Sequence, residues 1–288
     1  MATTTIEDII LQRDQRGVSD LRQFLPQDYC HQAAQYVMDH PGTTLVTTGF
    51  YIVYGKAAET DGPPGALAIG RALEALGRRV VYVTDRYTKE IMQRLAGPAA
   101  EVADFPITDV AASQKFSEEL LRTYDPSLLI SIERCAPSRD GLYRNMRAVD
   151  ITEYTARIDT LFGLHQYTVG VGDGGNEIGM GNVLDKILDR PHLHADPATT
   201  PVQRLVISSV SNWGGYGLVA ALSRLAGRDL LPSVEEEAEW VRQCVALGAV
   251  DGFTGEVKEY VDGFPLDEYG RTLADLHDLL AGEGISTV

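Results

Sequence analysis

Five short, β-branched apolar runs punctuate the chain: Thr44–Thr48, Val80–Thr84, Leu128–Ile132, Tyr167–Val171 and Leu205–Val210. Each has the length of a buried strand. Helical patterns lie between them. Gly65–Leu76 spaces Leu67, Ile69, Leu73 and Leu76 for one face and meets a stop signal at Gly77. Val110–Tyr124 carries Phe116, Leu120 and Leu121 and breaks at Asp125-Pro126; Tyr216–Leu225 and Val234–Leu247 read as two further helices. Regular alternation of this kind predicts an α/β fold, with a mostly parallel sheet of five or more strands and helices on both faces. No repeat or linker divides residues 1–288, so one domain is expected. The long charged connection around residues 134–166 is expected to form an insertion or lid. His192–Pro201 reads as an exposed loop with His192 and His194 solvated, and the tail beyond Val250 ends in a helix around Arg271–Leu280.

Composition removes several classes of function. A hydrophobic content of 44% suits a globular core. No apolar run approaches the roughly 20 residues needed to cross a bilayer. The first residues carry Glu7, Asp8 and Asp14, which fits neither a secretory signal nor a transit peptide, so a cytoplasmic protein is expected. Cys30, Cys135 and Cys244 are too scattered for a metal set and read as free thiols. A net charge of −16 argues against nucleic acid. No P-loop or G-x-S-x-G motif is present, and GVGDGG lacks dinucleotide-turn spacing, so no nucleotide cofactor is expected. The expected partner is a small anionic metabolite, an amino acid or a phosphate ester. Exposed apolar surface leaves room for a homo-oligomer.

The chemistry lies just past the end of each run. Gly49-Phe50, Asp85-Arg86, Glu133-Arg134, Gly172-Asp173 and Ser211-Asn212 come directly after the five apolar segments. In open parallel sheets ligands bind outside the carboxyl ends of the strands, so these positions would build an acidic cleft. The segment Gly170–Val183 (GVGDGGNEIGMGNV) holds six glycines in twelve residues, more than packing is expected to require. Asp173 can cap a following helix, with Glu177 four residues on along the same face. Two such carboxylates, with Glu133 or Asp61 as a third ligand or as the base, suit a hard cation, Mn²⁺ or Mg²⁺. Asn176 would complete that set or hold a substrate carboxylate, beside the backbone of Gly174 and Gly175.

Three other segments contribute. Glu59 and Asp61 precede Pro63-Pro64-Gly65, a helix start whose amides favour anions. Arg134, Arg139, Arg144 and Arg147 fall within fourteen residues, with Asn145 among them. They are expected to clamp an anionic substrate, chiefly through Arg134 and Arg147. Asn212 and Gly214 open another helix in SNWGGYGL, and Asp251 and Thr254 would face the site from AVDGFTGE.

Taken in order, TTGF, ETDGPPGALA, the ER…DGLYRNMRAVDIT stretch, GDGGNEIGMGNV, SNWGGYGL and AVDGFTG resemble the D-glutamate cyclase family. The resemblance is to the C-terminal domain of the vertebrate mitochondrial members and to stand-alone prokaryotic relatives. It runs from about Ile6 to Leu280. It implies dehydration of D-glutamate to 5-oxo-D-proline, with a divalent cation, manganese foremost. Catalysis would fall to Glu133, Asp61 and Asp173, and metal binding to Asp173, Glu177 and Glu133. A manganese-dependent phosphatase and a non-catalytic metabolite-binding protein are the competing readings.

Overall fold

The computed structural model describes residues 4–286. Six strands form one parallel sheet: β1 (Thr44–Thr47), β2 (Val80–Thr84), β3 (Glu101–Asp104), β4 (Leu128–Ile132), β5 (Thr168–Gly172) and β6 (Arg204–Ile207). Their order is β3-β2-β1-β4-β5-β6. All five apolar runs became strands. Strand β3 went unforeseen because Glu101–Asp104 is an edge strand with acidic, exposed ends and no apolar run. Strands β1, β2, β4 and β5 are buried at every residue. A sheet without in–out alternation must be covered on both faces.

The cover is helical. Helix α1 (Ile6–Ile10), α2 (Tyr29–Asp39) and α3 (Pro63–Ala75) pack with α8 (Ser211–Ala226) on one side, where α4 (Lys89–Ala96), α9 (Val234–Ala246) and α11 (Arg271–Gly282) join them. On the other side α5 (Val110–Tyr124) packs against α6 (Asp159–Leu164). Right-handed crossovers require this division, because the chain leaves β1 towards one edge and returns past it to the other. Two short helices, α7 (Leu184–Leu188) and α10 (Leu266–Tyr269), close connections. None of the helices among the described residues is long and apolar enough to cross a membrane.

The central helix is α8, buried continuously from Ser211 to Ser223. Small residues let it lie close to the sheet. A Cβ on Gly214 would stand 2.5 Å from Ser208 Oγ and 2.6 Å from a Val171 methyl. Gly214 is therefore a packing residue, and its expected part in substrate binding gives way to that.

The chain reverses direction across the sheet between β1 and β4, the place where open α/β sheets leave a crevice at the strand ends. Residues 134–166 reach that crevice at Asn145, Met146 and Arg147. They fold through isolated bridges, Pro137 to Tyr143 and Arg144 to Asp150, and bury Tyr143 and Ile151 in a small second core with Phe50, Ile52 and Val250. The loop after α7 is less exposed than its composition suggested. His194 is buried, and its Nε2 lies 2.8 Å from the Asn145 carbonyl.

Candidate active site

Helix α8 begins at the floor of the crevice, and its first amides gather carboxylates. Asp61 Oδ1 accepts hydrogen bonds from the amides of Asn212 at 2.8 Å and Gly62 at 3.0 Å. The Ser211 amide lies 3.0 Å from both Asp61 Oδ2 and Asp173 Oδ2. The Ser211 hydroxyl donates to Glu133 Oε2 at 2.5 Å. A helix N-terminus favours anions in this position. Asp61 from the turn before α3 and Glu133 and Asp173 from the ends of β4 and β5 thus come together, with ligand oxygens within 4.8 Å of one another.

Their titration is displaced upwards. Burial raises Asp61 to about 7, helped by the charge of Asp262 and opposed by the amides it accepts from. Burial first, then Glu177 and Asp61, push Glu133 well above the carboxylate range. Asp173 is raised chiefly by burial, although Arg16 pulls it down. Glu59 is raised by burial, then by Glu133, Asp262 and Asp61.

Arg16 is the counter-charge. Its Nη1 lies 2.9 Å from Asp173 Oδ2, 2.8 Å from Asp262 Oδ2 and 3.2 Å from the Ser209 carbonyl oxygen. Its guanidinium also covers the Phe253 ring at 5.0 Å. One guanidinium does not offset the buried carboxylates of Glu59, Asp61, Glu133, Asp173 and Asp262. Uncompensated buried charge costs several kcal/mol per ion, so protons or a cation must supply the difference. The converging donors of the trio are all oxygen, the set a hard divalent cation takes.

A cleft of about 310 Å³ opens above. Of the trio only Glu133 lines it; Asp61 and Asp173 lie behind. Glu59, Asn145, Asn176, Arg16, Arg147 and Asp262 line it as well. Arg147 stands at the rim, its guanidinium 4.5 Å from the Tyr54 ring centre and its Nη2 3.2 Å from the Phe253 carbonyl oxygen. Asn145 Oδ1 accepts from the amides of Arg147 and Val149, both at 3.0 Å, and so shapes the turn that presents Arg147.

Several expected site residues serve the scaffold instead. Arg134 is almost wholly buried. It pairs with Asp85 at 2.7 Å and donates to the carbonyls of Gly49 and Ala156, so it is not free to clamp a substrate. Asn212 Oδ1 accepts from the amides of Gly62 and Gly65 and ties the start of α3 to α8. No helix starts at Asp173. The segment turns instead, and Glu177 Oε1 accepts from the amides of Asp173 and Gly174 while Oε2 accepts from Gly175. Both oxygens of Glu177 hold the turn, which takes it out of the converging ligand set. The turn also accounts for the glycines. A Cβ on Gly174 would strike Met146 Sδ, and one on Gly170 would lie 2.6 Å from the Ile178 carbonyl oxygen. Gly175 has φ +106°, which side chains rarely adopt. Close packing requires Gly174 and the backbone turn requires Gly175, with no ligand needed to explain either. Asp251 accepts from the amides of Thr254 and Gly263 and likewise braces a turn.

Arg16 and Asp262 went unrecognised in the sequence, although each had a local signal. Asp14 and Gly17 bracket Arg16 as turn residues, and Asp14 Oδ1 accepts from the amides of Arg16 and Gly17. Asp262-Gly263 is a two-residue hairpin turn between Tyr260–Val261 and Phe264–Pro265, with φ of 51° and 82°. What the signals could not reveal was that these two turns meet.

Residues 6–277 match the family described as D-glutamate cyclase-like, C-terminal. The chain is 33% identical to "D-glutamate cyclase, mitochondrial" of Homo sapiens, over 81% of this chain and 44% of that protein. It therefore spans less than half the length of that relative. A solved exopolyphosphatase-related protein from Bacteroides fragilis covers 91% of this chain and 58% of its own, at a TM-score of 0.41 and 9% identity, a likeness too distant to bear on function. With a matched span that takes in every strand of the sheet and the whole carboxylate floor, the chain belongs to the D-glutamate cyclase-like C-terminal family.

Proposed function

We propose that this chain is a lyase of the D-glutamate cyclase type, closing D-glutamate to 5-oxo-D-proline with release of water. The observation that carries the reading is Glu133, a buried carboxylate of raised pKa that lines the cleft and is backed by two more. The ring closure needs a group that takes a proton and returns it. The substrate ammonium gives a proton to Glu133, and the freed nitrogen attacks the γ-carbon. A C–N bond forms and a C–O bond breaks. The departing oxygen takes the stored proton and a second one from nitrogen, and leaves as water. A carboxylate raised towards neutrality is a stronger base than an ordinary one and still returns its proton, which suits it to both halves. Ring closure within one molecule removes the entropy cost of bringing reactants together. Arg147 at the rim and Arg16 on the inner wall are the cations available to the substrate carboxylates.

Asp61, Asp173 and one oxygen of Glu133 are the residues that would hold Mn²⁺ or Mg²⁺. A cation there would supply Lewis-acid polarisation of the γ-carboxylate. Were Glu133 engaged in that way, Glu59, the other raised carboxylate on the cleft, would be the group left to take the proton. No nucleotide cofactor is invoked. The phosphatase reading asks the same acidic wall to accept a dianion, with the amides of Gly174 and Gly175 already given to Glu177. A cytoplasmic setting is part of the proposal and rests on three buried, unpaired cysteines.

The test is purified protein offered D-glutamate, L-glutamate or a phosphomonoester, with and without Mn²⁺. Loss of the D-glutamate amine with formation of 5-oxoproline is the expected result. Phosphate release, or binding with no turnover, would overturn it. Glu133→Gln is expected to lower turnover by about 10²–10⁴-fold while leaving the circular dichroism spectrum unchanged.

A further inference from the structure

Four arginines crowd residues 134–147, and three of them already have carboxylate partners. Arg134 pairs with Asp85, Arg139 with Asp185, and Arg144 with Asp140 and Asp196. Arg147 is the one of the four that lines the cleft, and it pairs with no carboxylate among the described residues. The chain holds 41 acidic side chains against 25 Lys and Arg, so an arginine left without one stands out. Its charge is available to an anion from outside.

Arg147 is nevertheless held in place, and by neutral groups. Its guanidinium lies over the Tyr54 ring at 4.5 Å, and Nη2 donates to the Phe253 carbonyl at 3.2 Å. Nε and Nη1 make no hydrogen bond among the described residues. The support beneath is fixed in turn. Tyr54 sits at the tip of the hairpin that pairs Tyr51–Ile52 with Ala57–Ala58, and its hydroxyl donates to the Gly252 carbonyl. Gly255 packs so close that a Cβ there would collide with the Tyr54 ring. A guanidinium positioned before binding loses less freedom when an anion arrives.

The chemistry distinguishes the two ends of the substrate. Its γ-carbon must approach Glu133, which is buried, so the γ-carboxylate is the inner end and lies towards Arg16. The α-carboxylate takes no part in ring closure. Deeper in the cleft it would meet the carboxylates of Glu59, Glu133 and Asp262. Asn176, the other carboxylate partner expected from sequence, already donates Nδ2 to the Arg144 carbonyl at 3.0 Å. We infer that Arg147, set on Tyr54 and Phe253, anchors the substrate α-carboxylate at the rim, so that the cleft takes a free amino acid and rejects one amidated at its α-carboxyl. The inference rests on the amino-acid reading of the cleft and adds which end of the substrate faces out.

Equilibrium titrations with D-glutamate, D-glutamine (γ-carboxamide) and D-isoglutamine (α-carboxamide) test it, in a Glu133→Gln background where ring closure is slow. Arg147→Met should weaken D-glutamate and D-glutamine by about tenfold each and leave D-isoglutamine within about twofold. Tyr54→Leu, which keeps the charge and removes its support, should give the same pattern with a loss of about threefold. Because the readout is the difference between ligands, a general disturbance of the rim would not reproduce it. Equal weakening of all three ligands, or unchanged D-glutamate binding in Arg147→Met, would overturn the anchor. Loss for D-glutamate and D-isoglutamine with D-glutamine spared would put the γ-carboxylate at the rim and reverse the orientation. Failure of Glu133→Gln and wild type alike to bind any of the three would remove the amino-acid reading itself, and the anchor with it.

Discussion

Glu133 leaves β4 with φ +45°, a left-handed conformation that favours glycine. Holding another residue there costs of order 1–3 kcal/mol and persists where the surroundings demand it. Here it accompanies a side chain that reaches the Ser211 hydroxyl and the cleft at once. Arg16 carries the opposite charge. Arg16→Met should leave Asp173 and Asp262 unpaired and cost about 3–5 kcal/mol in urea denaturation. Adding Asp262→Asn to that variant should recover part of the loss. Full stability of Arg16→Met would show that the pairs contribute nothing. At this scale the sequence named the carboxylates well, because Asp61, Glu133 and Asp173 each follow an apolar run or precede a helix signal. It named their partner poorly, because Arg16 lies 157 positions from Asp173 and only the fold joins them. Arg134, Asn212 and Glu177 misled for a related reason: a polar residue at a strand end looks the same in sequence whether it faces a ligand or a neighbouring amide.

Elements were the most legible level. The helix foreseen at Val110–Tyr124 forms with those bounds, and the one foreseen at Val234–Leu247 ends a residue earlier. Both carry their own caps. Asp109 accepts from the Ala112 amide, and Ser233 with Glu236 completes a capping box. Helix α3 has no such local cap. Gly62 precedes it at φ +97°, and the oxygen that meets its first amides is Asn212 Oδ1, supplied by α8. Asn212→Ala should cost about 1–3 kcal/mol and lower the melting temperature, since the buried Gly65 amide loses its acceptor and the Gly62 amide keeps only Asp61. Gly214→Ala should cost a similar amount through overpacking against Ser208 and Val171. Wild-type stability in either variant would contradict the close seating of α8.

Across the molecule, buried carboxylates set the pH response. Glu237 on α9 is buried between Tyr216 and Tyr269, and burial raises it to about 8. A group raised above its unfolded value of 4.5 contributes stability below that value and loses it as pH rises through the folded value. Asp61, raised to about 7, acts in the same direction. Stability is therefore expected to fall between pH 4.5 and 8 in metal-free solution, opposite to ordinary acid denaturation. Glu237→Gln should flatten the upper part of that slope in thermal melts, and an unchanged slope would exclude Glu237 as its source. Cation binding requires deprotonated ligands, so Mn²⁺ should raise the melting temperature more at about pH 8 than at about pH 5. An equal or larger shift at the lower pH would rule out a site built from Asp61, Glu133 and Asp173.

The α/β class, the parallel sheet and the identity of three floor carboxylates were readable in the chain because they depend on local pattern: short buried runs, helical spacing, and the residue just past each run. Tertiary structure alone decided which of those residues face open space. It gave Glu177 to a turn of amides, Arg134 to Asp85, and Asn212 to the start of α3, and it left Arg147 without a carboxylate among the described residues. Hydrogen-bond partners lie up to hundreds of positions apart, and whether a polar atom is met or left over is a property of the packed whole. No stretch of sequence records it.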